Sequence, residues 1–129
     1  MNGERPTIPL PAGIVTFLLT DVEGSTTACE RHPDAMAAAI ARHYEILGDA
    51  VAAHGGTRPQ EQGEGDSVVA AFSRASDAAA AAVAAQQALG AEPGTPDAPR
   101  LRVRMAIHAG EAQLRETKYR IAACAVAIF

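Results

Sequence analysis

The sequence predicts an α+β domain in which helices pack against a mostly antiparallel sheet. Three observations carry that expectation. Residues 14–19 (IVTFLL) form an apolar run of strand length, and residues 101–110 alternate between apolar and polar side chains. Between them lie two stretches with helical character, one periodic and one rich in alanine. The chain has 129 residues, enough for one domain with one core.

Taken in order, residues 1–13 hold three prolines and two glycines, so residues 1–12 read as a flexible lead-in. The run at 14–19 lacks strict alternation and is rich in β-branched residues, which fits a central strand buried on both faces. Small and polar residues from Thr20 to Thr26 then mark a turn and a helix start. Pro33 and Asp34 suit a first helical turn. Met36, Ile40, Leu47 and Val51 follow a helical period, with Tyr44 near the same stripe, and Gly55-Gly56 stops the helix. Residues 57–62 form a weak strand, because Pro59 removes a backbone donor. A turn at 63–66 leads to a better strand at 67–72 (SVVAAF), and the two strands read as a hairpin. Ser73 is a plausible N-cap for an alanine-rich helix reaching about Leu89, closed by Gly90. Residues 91–99 form a surface loop. In the alternating strand, Leu101, Val103, Met105 and Ile107 share one face, and Arg102, Arg104 and His108 share the other. Residues 111–114 should turn back from it.

Composition narrows the function. Aromatic residues are 4% of the chain and Trp is absent, so the core rests on Ile, Val, Leu, Met and Ala. A formal charge of −4 gives no electrostatic reason to expect nucleic acid or an anionic membrane as partner. It is compatible with a site that collects divalent cations. Two cysteines, Cys29 and Cys124, imply neither a disulfide framework nor a zinc cluster. With no signal peptide and no apolar run of membrane-spanning length, the expectation is a soluble cytoplasmic protein.

Two acids stand out by position. Asp21 ends the most apolar strand, and Asp66 sits in a glycine-flanked turn feeding the SVVAAF strand. If those strands are neighbours, both carboxylates converge at one sheet edge. Hard divalent cations need such oxygen ligands, with room left for phosphate oxygens. Glu23, Gly24, Ser25 and Thr26 would present backbone N–H groups to a polyphosphate. Taken singly, each aspartate is better read as a helix cap or a turn residue; the two together, with their flanking residues, favour the site. His32, His43 and His54 recur every eleven residues, about 16 Å apart along a helix, too far to share a metal; they read as solvent-exposed. His108 has no evident partner. Glu61 and Glu64 read as solvated turn residues.

Residues 15–26 (VTFLLTDVEGST) resemble the first metal motif of class III adenylate and guanylate cyclases. The likeness is strongest to an actinobacterial branch often fused to ATPase and helix-turn-helix regulator domains. HPDAMAAAIARHYEILGDAVAAHGG, GEGDSVVAAF and LRVRMAIHAGEA continue it in order, so residues 13–119 look like a partial cyclase domain and 120–129 a divergent tail. The resemblance implies a ferredoxin-like nucleotidyl cyclase fold, incomplete at the C-terminus, that pairs head to tail as a homodimer or heterodimer. It implies two Mg²⁺ or Mn²⁺ ions held by Asp21, the Val22 carbonyl and Asp66. The implied reaction converts ATP or GTP to a cyclic nucleotide, the ribose 3′-oxygen attacking the α-phosphorus and pyrophosphate leaving. No nucleic acid and no membrane partner is implied.

The chain also departs from the pattern. The base-reading lysine falls on Gln62, four residues before Asp66, and the second base-reading position falls on Lys118. Where the family carries an Asn that orients the ribose and an Arg that stabilises the transition state, this chain has Ala125 and Phe129. The tail RIAACAVAIF resembles a frameshifted or truncated end. Losing those donors costs orders of magnitude in rate, so a homodimer should be nearly inactive. A heterodimer keeps a route to activity, because family sites are composite. The alternative is a non-catalytic regulatory or metal–nucleotide-binding module that pairs with intact cyclases. A phosphoacceptor receiver is a third reading of LLTDV, but residues 1–13 lack the acidic pair it needs.

Overall fold

A computed structural model describes residues 12–58, 67–95, 100–115, 118–121 and 127–128. Strand β1 (Gly13–Val22) is followed by helices α1 (Ser25–Arg31) and α2 (Pro33–Ala53). Strand β2 (Val68–Phe72), helix α3 (Ala75–Ala91) and strand β3 (Val103–Arg115) follow, then β4 (Lys118–Ile121) and β5 (Ala127–Ile128). The strands form one antiparallel sheet in the order β2-β1-β3-β4, with β5 also paired to β3.

The apolar run does form the central strand. Phe17 and Leu18 are both buried, yet they enter different clusters because successive strand side chains point to opposite faces. Leu18 and Val22 join Phe72, Met105, Ile46, Leu47 and Val51 under the helices. Val15 and Phe17 pack with Ala71 and Ala112 on the other side. Each large apolar side chain buried in this way contributes roughly 1.5–3 kcal/mol. Helix α3 buries Ala78, Ala81, Ala85 and Leu89, small residues that gain little each but let the helix lie close to the sheet.

Several sequence expectations change. The first helical region is two helices, separated at His32 (φ −137°, ψ 69°). The ring of Pro33 disfavours helical backbone at the residue before it, so the break is local chemistry. The same rule moves the end of α3. That helix runs through Gly90 to Ala91 and stops at extended Glu92, which precedes Pro93. Ser73 is not its N-cap; Arg74 holds that position without a side-chain cap. Residues 111–114 do not turn back. They continue β3, because Gly13 and Ile14 pair with Ala112 and Glu111 on one edge and β4 pairs on the other.

The expected hairpin partner of β2 is reduced, within the described residues, to one antiparallel bridge between Thr57 and Ala71. Its backbone hydrogen bonds are 2.9 and 2.7 Å long. Counting that bridge, the order Thr57–β2–β1–β3 is the ferredoxin-like arrangement. Gly55, with φ +74°, ends α2 as its sequence predicts.

His43 is the clearest reversal: it is fully buried rather than solvent-exposed. Met36, Ile40, His43 and Leu47 are spaced by four, three and four residues, so His43 lies in the apolar stripe. Its Nδ1 sits 3.1 Å from the Ile40 carbonyl and its ring stacks, tilted, on Tyr44. His32 is exposed, and His54 is half-buried with its Nδ1 2.8 Å from the Ala50 carbonyl.

Candidate functional site

Burying β1 on both faces carries its polar end to the rim of the sheet. Asp21 occupies that end and faces Arg104 of β3 directly across the ladder. Arg104 donates from Nε to Oδ1 and from Nη2 to Oδ2 of Asp21, both at 2.8 Å. Two parallel charge-assisted bonds fix the plane of the carboxylate as well as its position. The pair is part-exposed, at 43% for the Asp21 side chain and 55% for Arg104.

Val22 turns its side chain into the core beneath the helices. The Glu23 N–H donates to the Arg102 carbonyl at 2.8 Å, extending the strand ladder by one bond. Gly24 then adopts left-handed backbone (φ 68°, ψ 16°) at the N-cap of α1, a conformation that favours glycine. The Gly24 carbonyl accepts from the Ala28 N–H at 3.3 Å. Glu23, Gly24 and Thr26 are exposed, and Ser25 opens α1. A first helical turn leaves its N–H groups without intrahelical acceptors, so Ser25 and Thr26 keep donors for an outside partner.

Asp66 and Gln62 lie outside the described residues, as do Ala125 and Phe129. Ser67, bonded to Asp66, and Val68 are described, and Val68 stands opposite Thr20, the residue before Asp21. Lys118 is the first residue of β4, with its Cα opposite Arg115. Glu61 and Glu64 also lie outside the described residues.

As a donor set for a divalent cation, the described residues supply one carboxylate, Asp21, which already holds a cationic group on both oxygens. Among the described residues no group of three or more His, Cys, Asp or Glu could hold a metal ion. Among the described residues, then, Asp21 by itself does not make a cation site.

Beside the pair opens a cleft of about 310 Å³ walled by Glu23, Arg102 and Arg104 and by Gln86 and Gly90 of α3. Gln86 anchors that wall by donating Nε2–H to the Val103 carbonyl at 2.8 Å. A larger cleft of about 390 Å³ lies between α2 and α3, lined by Ala38, Ala39, Ile46 and Leu89, and it does not include Asp21. At its rim Glu92 accepts from Arg42 Nε at 2.8 Å, and this hydrogen bond and charge raise the Arg42 pKa above its ordinary value.

Arg104 is the residue of this site that sequence reasoning missed. Alternation placed it on the polar face of its strand, but the partner depends on the register between β1 and β3, 83 residues apart.

No protein-family model matches the chain. It is 47% identical over 109 residues to an uncharacterized protein of Mycobacterium tuberculosis, covering 84% of this chain and 35% of that protein. The chain thus spans about a third of that relative's length. Adenylate cyclases of Trypanosoma brucei, solved in their monomeric state, superpose with a TM-score of 0.75 at 22% identity, over 88% of this chain and 66% of theirs. An adenylate/guanylate cyclase/hydrolase from Silicibacter pomeroyi superposes with a TM-score of 0.69 at 27% identity, over 83% of this chain and 62% of that one. The chain has the α+β fold of adenylate and guanylate cyclase domains.

Proposed function

We propose that the chain is a nucleotidyl cyclase homology domain of class III type that supplies metal-binding carboxylates to a composite site shared with a second cyclase domain. One observation carries this reading: β1 and β2 are antiparallel neighbours with Thr20 opposite Val68. Asp21 follows Thr20, and Asp66 precedes Val68 by two residues, a span of about 7 Å at most. That distance favours a shared site for the two carboxylates at one end of the sheet.

In this reading Asp21, the Val22 carbonyl and Asp66 hold Mg²⁺ or Mn²⁺. When bound, the metal supplies charge neutralisation at the phosphates and a more acidic ribose hydroxyl. The chain's own part is positional. Gly24 lets the backbone turn sharply after Asp21, and the N–H groups of Ser25 and Thr26 are turned toward phosphate oxygens. Glu23 takes part only through its position, since its N–H is engaged by Arg102. Gln62 and Lys118 read the base of ATP or GTP. Ala125 and Phe129 supply no donor where transition-state charge develops, so two copies of this chain leave the reaction almost uncatalysed.

The fold and the absence of any described helix long and apolar enough to cross a membrane are compatible with a cytoplasmic dimer. The Asp21–Arg104 ion pair favours a second reading, in which the domain pairs with an intact cyclase and regulates it without binding metal.

Incubation with Mn²⁺ and ATP or GTP tests the proposal. The chain is assayed alone and mixed with a cyclase domain that lacks its aspartates but retains Asn and Arg. Cyclic nucleotide is expected only in the mixture, and Asp21→Asn should reduce it by at least about a hundredfold. Product from the chain alone would contradict the reading of Ala125 and Phe129. A mixture without product, but with an intact cyclase changed in rate by this chain, would favour regulation.

A further inference from the structure

We propose that the cleft between α2 and α3 is a binding site for a small amphipathic carboxylate, its apolar tail between the helices and its head on Arg100 at the rim. The cleft does not include Asp21, so the inference stands apart from the proposed metal and nucleotide site.

One wall comes from a single face of α2. Ala38, Ala39, Arg42 and Ile46 follow Ala35 at the three- and four-residue steps that share a helix face. The three alanines end at Cβ and leave space in front of them. Opposite, the wall is the end of α3 and the chain beyond it, because extended Glu92 before Pro93 stops the helix. The opening left between them is about 390 Å³, within the size range of small-molecule sites. Leu89 and Leu101 complete an apolar lining. Water against such a lining finds few hydrogen-bond partners, so an alkyl chain that displaces it is favoured.

The rim supplies the chemistry for a head group. Glu92 is engaged twice there: its carboxylate accepts from Arg42 Nε at 2.8 Å, and its backbone carbonyl accepts from Arg100 Nε at 3.1 Å. Arg42 thus has a carboxylate partner, whereas Arg100 has none among the described residues. Two guanidiniums in the lining face one carboxylate, an excess of positive charge. The Nη groups of Arg100 form a planar fork that a carboxylate can meet with two bonds. An exposed cation beside an apolar slot selects a ligand built of the same two parts, an anion on an apolar tail.

The probe is octanoate, kept below the concentration at which it forms micelles, with binding followed by ¹⁵N–¹H shifts of the full chain. The amides of Ala38, Ala39 and Arg42 should move to saturation while those of Asp21 and Val22 stay. Butyrate should bind more weakly, by up to about fourfold for each methylene it lacks. Octanol, with the same tail length and no charge, should bind about three- to tenfold more weakly than octanoate, and octylammonium more weakly still. Arg100→Gln should weaken octanoate by the same factor and leave octanol unchanged, a pattern that a merely structural arginine would not give. Ala38→Phe, at an exposed position, should fill the cleft and abolish binding of both. Each variant is checked for a cooperative melt; if Ala38→Phe does not fold, Arg100→Gln with the two ligands decides. No saturable shift in wild type, the result expected if the chain's own residues 96–99 fill the cleft, overturns the proposal. So does octanoate binding that is unchanged in Arg100→Gln, matched by octylammonium, or retained in folded Ala38→Phe.

Discussion

Gly56 shows how closely single residues are constrained around the core. A Cβ built there would lie 2.4 and 2.6 Å from atoms of the Phe72 ring and 2.8 Å from a Val51 methyl. Phe72 is fully buried and Val51 nearly so, which leaves neither much space to retreat. Gly56→Ala should therefore cost about 1–3 kcal/mol, read as a lower urea midpoint with an unchanged slope. Legibility at this scale was uneven. Asp21 was found from sequence because an acid at the end of an apolar strand is conspicuous. His43 was misplaced because its polarity outweighed its position in the α2 stripe. Arg104 could be assigned to a face but not to a partner, since cross-strand register is set by tertiary pairing.

Elements follow local rules where those rules are strong. β1, β2 and the first part of β3 were legible from apolar runs and alternation, and α2 from its period. Pro33, read as a first-turn residue, does open α2, while Pro93, by restricting the residue before it, sets the end of α3 beyond the Gly90 that had suggested it. The extent of β3 was not legible, because residues 111–115 are held as a strand by β1 and β4 rather than by their own pattern. Helix α3 makes a test available. Gly90 lies within it, is exposed, and would meet nothing within 4 Å if given a Cβ. Gly90→Ala should stabilise the protein by about 0.5–1 kcal/mol, seen as a rise in melting temperature. A fall would mean that α3 ends before residue 90.

At the scale of the whole molecule, the sheet order brings together positions far apart in sequence. The central strand carries Asp21 one residue before its end, its neighbour β2 begins two residues after Asp66, and its other neighbour supplies Arg104. This arrangement follows from the α+β fold shared with the cyclase structures, and the proposed function requires it. The most direct test is paramagnetic line broadening in a ¹⁵N–¹H spectrum of the full chain titrated with Mn²⁺. A shared cation site predicts that the amide signals of Asp21 and Val22 and those of Asp66 and Ser67 broaden together at the same Mn²⁺ concentration, and that Asp21→Asn abolishes both effects. Broadening at only one of the two segments, or at neither, would contradict the account.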